Sequence, residues 1–232
     1  MAENEPLPRG LERYALGEKL EGEPVRWLAT DRDRGRDVLV TRVAFGPSRL
    51  AERDERVARA KALFAVNAPA LVATYHAGPW ADDAFVVEER LVEPEPLGAR
   101  ELDARERALA ARSIAEGLAT LHAAGWSLDA LDARLDAYRQ PKIDVALHTI
   151  PATDASRHED LVRARDAIAK LGVQSRGADT AAALAAAIEV PAPGPSAPLL
   201  HAEKPAGRAG LAWLAVALAV LLAIALFVIS RG

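Results

Sequence analysis

The 232-residue chain contains no cysteine, one methionine and only 5% aromatic residues. The absence of cysteine excludes disulfides, thiolate metal sites and cysteine nucleophiles. The five histidines are scattered along the sequence and show none of the spacings that are typical of zinc ligands. The formal net charge of −4 provides no excess of positive charge for binding phosphate backbones, so we expect no nucleic-acid partner.

Residues 209–230 form a long stretch without an ionisable side chain, and Arg208 and Arg231 bracket it. As a helix it would extend about 30 Å, the thickness of a bilayer core, and a spanning segment must be helical to pair its backbone groups. The stretch predicts a transmembrane helix, which makes the membrane a partner through residues 209–230. The alternative is a buried helix of a globular protein.

The flanks of this stretch predict its orientation. The first ten residues have neither the basic start nor the apolar run of a signal peptide. Lys204 and Arg208 precede the predicted helix and only Arg231 follows it, a bias typical of a cytoplasmic N-terminal side. We therefore expect a single-pass protein of the cell inner membrane or plasma membrane with a cytoplasmic N-terminal domain.

The composition divides the rest of the chain into a tail, a domain and a linker. Five prolines between residues 190 and 208 indicate an extended linker. Residues 1–12 are interpreted as an N-terminal tail. The remaining residues, 13–189, are numerous enough to form a domain with a hydrophobic core.

Two patterns follow one another within this domain. Runs of β-branched and aromatic residues predict five strands, at 14–20, 25–30, 36–44, 71–77 and 84–91, with a turn at 33–35. Between the third and fourth strands, Ser48 is placed to cap a charged helix that ends at Pro69. Apolar residues at three- and four-residue spacing then predict a long helix over 103–124, stopped by Gly125. Strands followed by helices indicate an α+β fold with two lobes.

Six segments, in this order along the chain, resemble the bacterial serine/threonine protein kinase domain. They read RYALGEKL, WLATDRDRGRDVLVTRV, NAPALVATYHAG, AFVVEERLVEPEPL, IAEGLATLHAAGWSLDALDARL and QPKIDVA, and they cover about residues 13–146. The resemblance implies a protein kinase-like two-lobe α+β fold, with a five-stranded N-lobe plus helix over about 13–93 and a reduced helical C-lobe over about 97–189. With one transmembrane helix after it, this is the fold that we expect.

The nucleotide-binding positions implied by the resemblance carry unusual residues. Gly22 is the glycine kept in a shortened loop, LEGEPV, whose glutamates would repel phosphate. The family's phosphate-binding lysine falls at Thr41, which has no charge, and Arg42 belongs to the other face of the strand. The glutamate that would orient this lysine falls at Arg59 or Ala60. Gly22 and Thr41 are therefore weakened candidates for binding a cofactor.

The catalytic-loop positions are changed as well. Asp129 occupies the position of the catalytic base, as a vestige that we expect to be inactive. Arg134 replaces the magnesium-binding asparagine, and Asp144 is the remaining candidate metal ligand. The segment from Asp144 to His158 is too short for a normal activation segment. For both aspartates, retention for loop hydrogen bonds is the alternative to a magnesium or nucleotide site.

With these losses the resemblance implies a membrane-anchored pseudokinase that binds another protein at the cytoplasmic face, transfers no phosphate and uses no cofactor. Two alternatives stay open. One is an atypical kinase with residual ATP and magnesium binding, which uses Arg42 or Arg134, and the other is a membrane-attached α+β adaptor unrelated to kinases. The charged run 49–61 is typical of a solvated helix face, with a docking surface as its alternative.

Overall fold

Five antiparallel strands form the main sheet of the computed structural model, which describes residues 7–175 and 177–193. The strands are β1 (Tyr14–Leu20), β2 (Val25–Asp31), β3 (Arg36–Val43), β4 (Thr74–Trp80) and β5 (Asp83–Glu89), in the spatial order β1-β2-β3-β5-β4. The five predicted strands are confirmed, although β4 begins later than predicted. The predicted turn between β2 and β3 is confirmed too: Gly35 N donates to Asp31 O over 2.7 Å, and Gly35 has a φ of 61° that favours glycine.

Helix α1 (Leu50–Ala62) packs against β4 and β5. The prediction that Ser48 caps it is wrong, because the helix follows a 3₁₀ turn, Pro47–Arg49, and no side chain caps its first N–H groups. Its buried residues, Val57 and Ala60, lie one turn apart on the side that faces the sheet.

The second half of the fold is built around helix α2 (Ala104–Ala123), as predicted, and Gly125 follows it with a φ of 84°. A capping box between Asp103 and Glu106 fixes its first turn. Short strands and two further helices complete this half: β6 (Glu95–Pro96), β7 (Trp126–Leu128), β8 (Ala133–Leu135), β9 (Pro141–Ile143), β10 (Thr149–Pro151), α3 (Asp154–Lys170) and α4 (Ala181–Ala187). Strand β10 pairs with β7, and β8 lies between β6 and β9.

Alternate residues of the main sheet face two different cores. On the face that we call the outer face, aromatic and β-branched side chains form one core: Tyr14, Trp27, Val38, Val40, Trp80, Phe85 and Val87. The opposite face, the inner face, contributes Ala77 and Val86 to a second core with α1 and α2. The described residues up to Pro191 form one compact unit.

The predicted fold requires one correction. The described residues form an α+β fold with a five-stranded antiparallel sheet and four α-helices. None of the helices in this described part is long and apolar enough to cross a membrane, in contrast to the fold expected from the sequence. The predicted span, 209–230, and the linker from residue 194 onward lie outside the described residues.

Candidate functional site

A cavity of about 240 Å³ lies against the inner face of the main sheet, opposite β8 and β9. Part of its wall is apolar, formed by Leu20, Leu28, Leu39, Val72, Leu91 and Pro94. The rest is charged, formed by Arg26, Glu88, Glu89, Arg90, Asp132, Arg134, Lys142 and Asp144. Its volume is below the roughly 300–1,000 Å³ of typical small-molecule sites, so it fits a ligand of about one ring.

The strand register explains which side chains face this cavity. Leu28, Leu39 and Glu88 lie opposite one another on β2, β3 and β5. Arg26 lies opposite Thr41 in the same way. Because side chains alternate across a strand, all five belong to the inner face.

Glu88 is the most unusual of these residues. Its side chain lines the cavity although the residue is only 2% exposed, and its Oε1 has no hydrogen-bond partner within the described residues. Burial raises the pKa of the Glu88 carboxyl well above its ordinary value, and the neighbouring Asp144 raises it further. The positive charge of Arg26 acts in the opposite sense.

Asp144 presents a second carboxyl to the same cavity. Its Oδ1 is buried and, among the residues that the structure describes, has no hydrogen-bond partner. Burial raises the pKa of this carboxyl too, while His148 and Arg26 oppose the rise. Two acidic groups that both resist ionisation, and that interact with one another, therefore line the same cavity.

Apart from Arg26, the other charged groups of the cavity are paired. Lys142 Nζ lies 2.9 and 3.0 Å from the two carboxylate oxygens of Glu89, and this pair joins β5 to β9. Arg134 Nη2 lies 2.9 Å from Asp132 Oδ2, and Arg90 Nη1 lies 2.8 Å from Asp37 Oδ2.

The residues singled out from the sequence are not brought together. Arg134 and Asp144 line the cavity, whereas Asp129 lies elsewhere, with its Oδ1 3.0 Å from His148 Nδ1. Thr41 is fully buried, and its Oγ1 has no hydrogen-bond partner in the described part of the chain. Gly22 is exposed with a φ of 109°, a conformation that favours glycine, and it does not line the cavity.

Arg42 lies on the outer face, as strand alternation predicts. Its Nε donates to Asp83 Oδ2 over 2.7 Å, and its guanidinium lies 4.8 Å from the centre of the Trp80 ring. It therefore points away from the cavity and cannot supply the charge that Thr41 lacks.

The charged run of α1 is less solvated than the sequence predicts. Arg56 Nη1 donates to Leu147 O, and Arg59 Nη1 donates to Thr149 O over 3.1 Å. These bonds attach α1 to the segment that follows Asp144. Two of the cations that a docking surface would have used are therefore engaged inside the fold.

Asp160 organises the loop that contains Asp129. It is fully buried on α3, accepts from Leu128 N over 3.1 Å and lies 2.9 Å from His122 Nε2. Arg163 Nη1 lies 3.3 Å from the same carboxylate. His122 therefore has a structural partner, consistent with a packing role.

Sequence reasoning missed Glu88 and Arg26 as cavity residues. The signal was available for Glu88, because it has the same strand parity as the apolar Val86 in a segment predicted to be a strand. A carboxyl on the buried side of a strand is unusual enough to indicate a functional position.

Within the described ranges, no group of three or more histidine, aspartate or glutamate side chains is arranged to hold a metal ion. No protein-family model matches the chain, and no curated protein sequence matches it either. The cavity and the segments around it are therefore the basis for a functional proposal.

Proposed function

We propose that this chain is a kinase-like domain that transfers no phosphate and acts by binding another protein. The observation that supports this most is the chemistry of the cavity wall. Glu88 and Asp144 present carboxyls to the cavity, and Thr41, at the position of the family's lysine, has none of the positive charge that phosphoryl transfer requires.

The residues present do not fit a magnesium nucleotide. Ionised carboxylates in a cavity of low dielectric repel phosphate oxygens, so a phosphate could enter only with Glu88 and Asp144 both protonated. Arg134 is paired with Asp132, and Arg59 bonds to a backbone carbonyl, so neither is directed at a phosphate. Asp129, which would act as the base, lies beside His148 instead.

Side-chain bonds between distant elements also hold the domain together as a scaffold. The Lys142–Glu89 pair joins β5 to β9, and Arg56 and Arg59 join α1 to the segment around Leu147. A scaffold whose elements are held by its own side chains needs no nucleotide to order it. Such a scaffold is suited to presenting a fixed surface to a partner.

One exposed surface supports a binding role. Tyr138 is 79% exposed and Leu109 is 44% exposed, and both line a groove formed by α2 and the turn between β8 and β9. Tyrosine is enriched among residues that dominate protein interfaces. We propose that this groove contacts the partner protein.

The absence of phosphoryl transfer is tested with the full-length chain, ATP and magnesium. We expect no rise in melting temperature during a titration and no transfer of labelled phosphate to a protein substrate or to the chain itself. Phosphate transfer above background that is lost in Asp129→Asn would overturn the proposal and favour the atypical kinase.

The binding role is tested by a Tyr138→Ala variant in affinity purification from source cells, followed by a direct binding measurement with any protein recovered. Loss of a central tyrosine should weaken binding about thirtyfold, because such residues contribute about 2 kcal/mol. Val162→Ala is the control. Val162 is apolar and as exposed as Leu109 of the groove, but it lies on α3. Equal binding by both variants would contradict the assignment of the groove.

A further inference from the structure

Two buried carboxyl oxygens of the cavity wall are the starting point. Glu88 Oε1 and Asp144 Oδ1 have no hydrogen-bond partner among the described residues, and Glu88 is almost completely inaccessible. A buried acceptor without a donor is unfavourable. A ligand that offers N–H donors at this point would therefore be stabilised by both carboxyls.

The charge balance of the cavity specifies the sign of such a ligand. Lys142, Arg134 and Arg90 are already paired with other carboxylates, whereas Arg26 faces both Glu88 and Asp144. In the described structure, no ion pair joins Arg26 to either of them, and its Nε is also without a hydrogen-bond partner. One further positive charge would balance the two carboxylates, whereas an anion would add to the repulsion.

The rest of the cavity specifies the body of the ligand. Leu28 and Leu39 lie opposite one another on β2 and β3, and Leu20 and Val72 extend the apolar wall. A volume of about 240 Å³ holds a single ring with a short polar group and little more.

From these three features we infer that the cavity binds a small organic cation, with a flat apolar body against Leu28 and Leu39 and an amidinium or ammonium group between Glu88 and Asp144. This inference goes beyond the proposed protein binding and does not depend on it. It also differs from a nucleotide site, because the charged end of the ligand is positive.

Binding should be linked to pH. Glu88 faces Asp144 and Arg26, and Asp144 faces His148, Arg26 and Asp132. Because burial raises the pKa of both carboxyls, the pair retains a proton at a pH where exposed carboxyls have lost theirs. A cation that binds between them displaces that proton, so affinity should increase as pH rises.

The test is calorimetric titration of the full-length chain with three probes of nearly equal shape: benzamidine, which is a cation, benzamide, which is neutral, and benzoate, which is an anion. We expect benzamidine to bind at least about tenfold more tightly than benzamide, since a charged hydrogen bond is the stronger one. Benzoate should not bind. Titration in buffers of different ionisation enthalpy should show release of up to about one proton with benzamidine.

Glu88→Gln should weaken benzamidine binding about tenfold and abolish most of the proton release. Glu21→Gln, the same chemical change at an exposed position outside the cavity, should leave both unchanged. Thermal unfolding of each variant establishes that it is folded. The inference is overturned if benzamidine fails to bind, binds no better than benzamide or benzoate, or binds Glu88→Gln as well as it binds the wild type.

Discussion

The two faces of the main sheet are formed by alternate residues of the same strands, yet their buried carboxyl groups have different surroundings. The outer face is aromatic and β-branched, with the Trp27 and Trp80 rings stacked 5.3 Å apart. Its buried carboxylate, Asp31, is paired, with Arg13 Nη2 2.6 Å and Arg36 Nε 3.4 Å from Oδ2. The inner face instead buries Thr41 and Glu88 with oxygens that have no hydrogen-bond partner in the described part of the chain.

This difference separates residues that stabilise the fold from residues that a ligand could contact. Apolar surface contributes to stability in proportion to the area that it buries. Each unpaired buried oxygen reduces stability by about 1–3 kcal/mol. Among the described residues, Glu88 Oε1 is an unpaired oxygen that also lines the cavity, where a ligand can reach it, which is typical of functional sites. Removing apolar surface from the outer face should therefore lower stability, whereas removing an unpaired oxygen from the inner face should raise it.

The largest effect is expected on the outer face. Phe85→Ala removes a fully buried ring that packs against His76 at 5.3 Å between ring centres, and it should lower the free energy of unfolding by about 3–5 kcal/mol. Urea unfolding of the full-length chain measures this. Phe64→Ala is the matched control, because Phe64 is exposed and its loss should change stability by no more than about 0.5 kcal/mol. Similar losses in the two variants would contradict the assignment of the outer face as the stabilising core.

The second prediction uses the pKa values of Glu88 and Asp31, which are shifted in opposite directions. The pKa of Glu88 is raised in the folded state, mainly by burial, so the folded protein holds a proton that the unfolded chain releases. The stability that this proton confers is fully present below about pH 4 and is lost as pH rises through the folded pKa. Glu88→Gln should remove this decline and raise the free energy of unfolding by about 2–3 kcal/mol at neutral pH.

Asp31 provides the control for this pH dependence. Burial alone would raise the pKa of Asp31, but the hydrogen bond and charge of Arg13 outweigh it and hold the pKa below its ordinary value. Its contribution is therefore present above about pH 4 and is lost as pH falls through the folded pKa. Asp31→Asn should remove this decline on the acid side of a plot of unfolding free energy against pH, and it should lower the unfolding free energy by a constant amount at neutral and alkaline pH. Loss of stability at neutral pH in Glu88→Gln would show that Glu88 is a paired carboxylate.

The outer face was more predictable from the sequence than the inner one. Strand alternation alone places Arg42 on the outer face, and the turn residues alone place Gly35 in the turn between β2 and β3. These features depend on neighbours a few residues away. Burial raises the pKa of Glu88 most, and Asp144 raises it further. Asp144 reaches the cavity only through the packing of the second half of the fold, so no local pattern predicts this pKa.

Helix ends and the bonds that arginines form with distant segments are also not predicted by local sequence patterns. Ser48 has the chemistry of a cap, but Pro47 begins a 3₁₀ turn there, and the helix starts without a side-chain cap. Arg56 and Arg59 fit the pattern of a solvated helix face, yet both reach carbonyls of a segment distant in sequence. The predicted transmembrane part of the fold has no counterpart among the described helices, and its residues, 209–230, lie outside them.

The smallest expected change in the free energy of unfolding comes from exchanges at two neighbouring residues of β3 that face opposite sides of the sheet. Thr41 and Val40 are nearly equal in shape and are both fully buried, but Thr41 carries a hydroxyl on the inner face that has no hydrogen-bond partner in the described ranges. Thr41→Val should raise the free energy of unfolding by about 1 kcal/mol, and Val40→Thr should lower it by about as much, because each exchange removes or adds one unsatisfied hydroxyl. Urea unfolding of both variants measures the difference between the faces at a single point of one strand. If Thr41→Val were the destabilising change, the Thr41 hydroxyl would have to be bonded in solution, and the inner face would not be destabilised at this position.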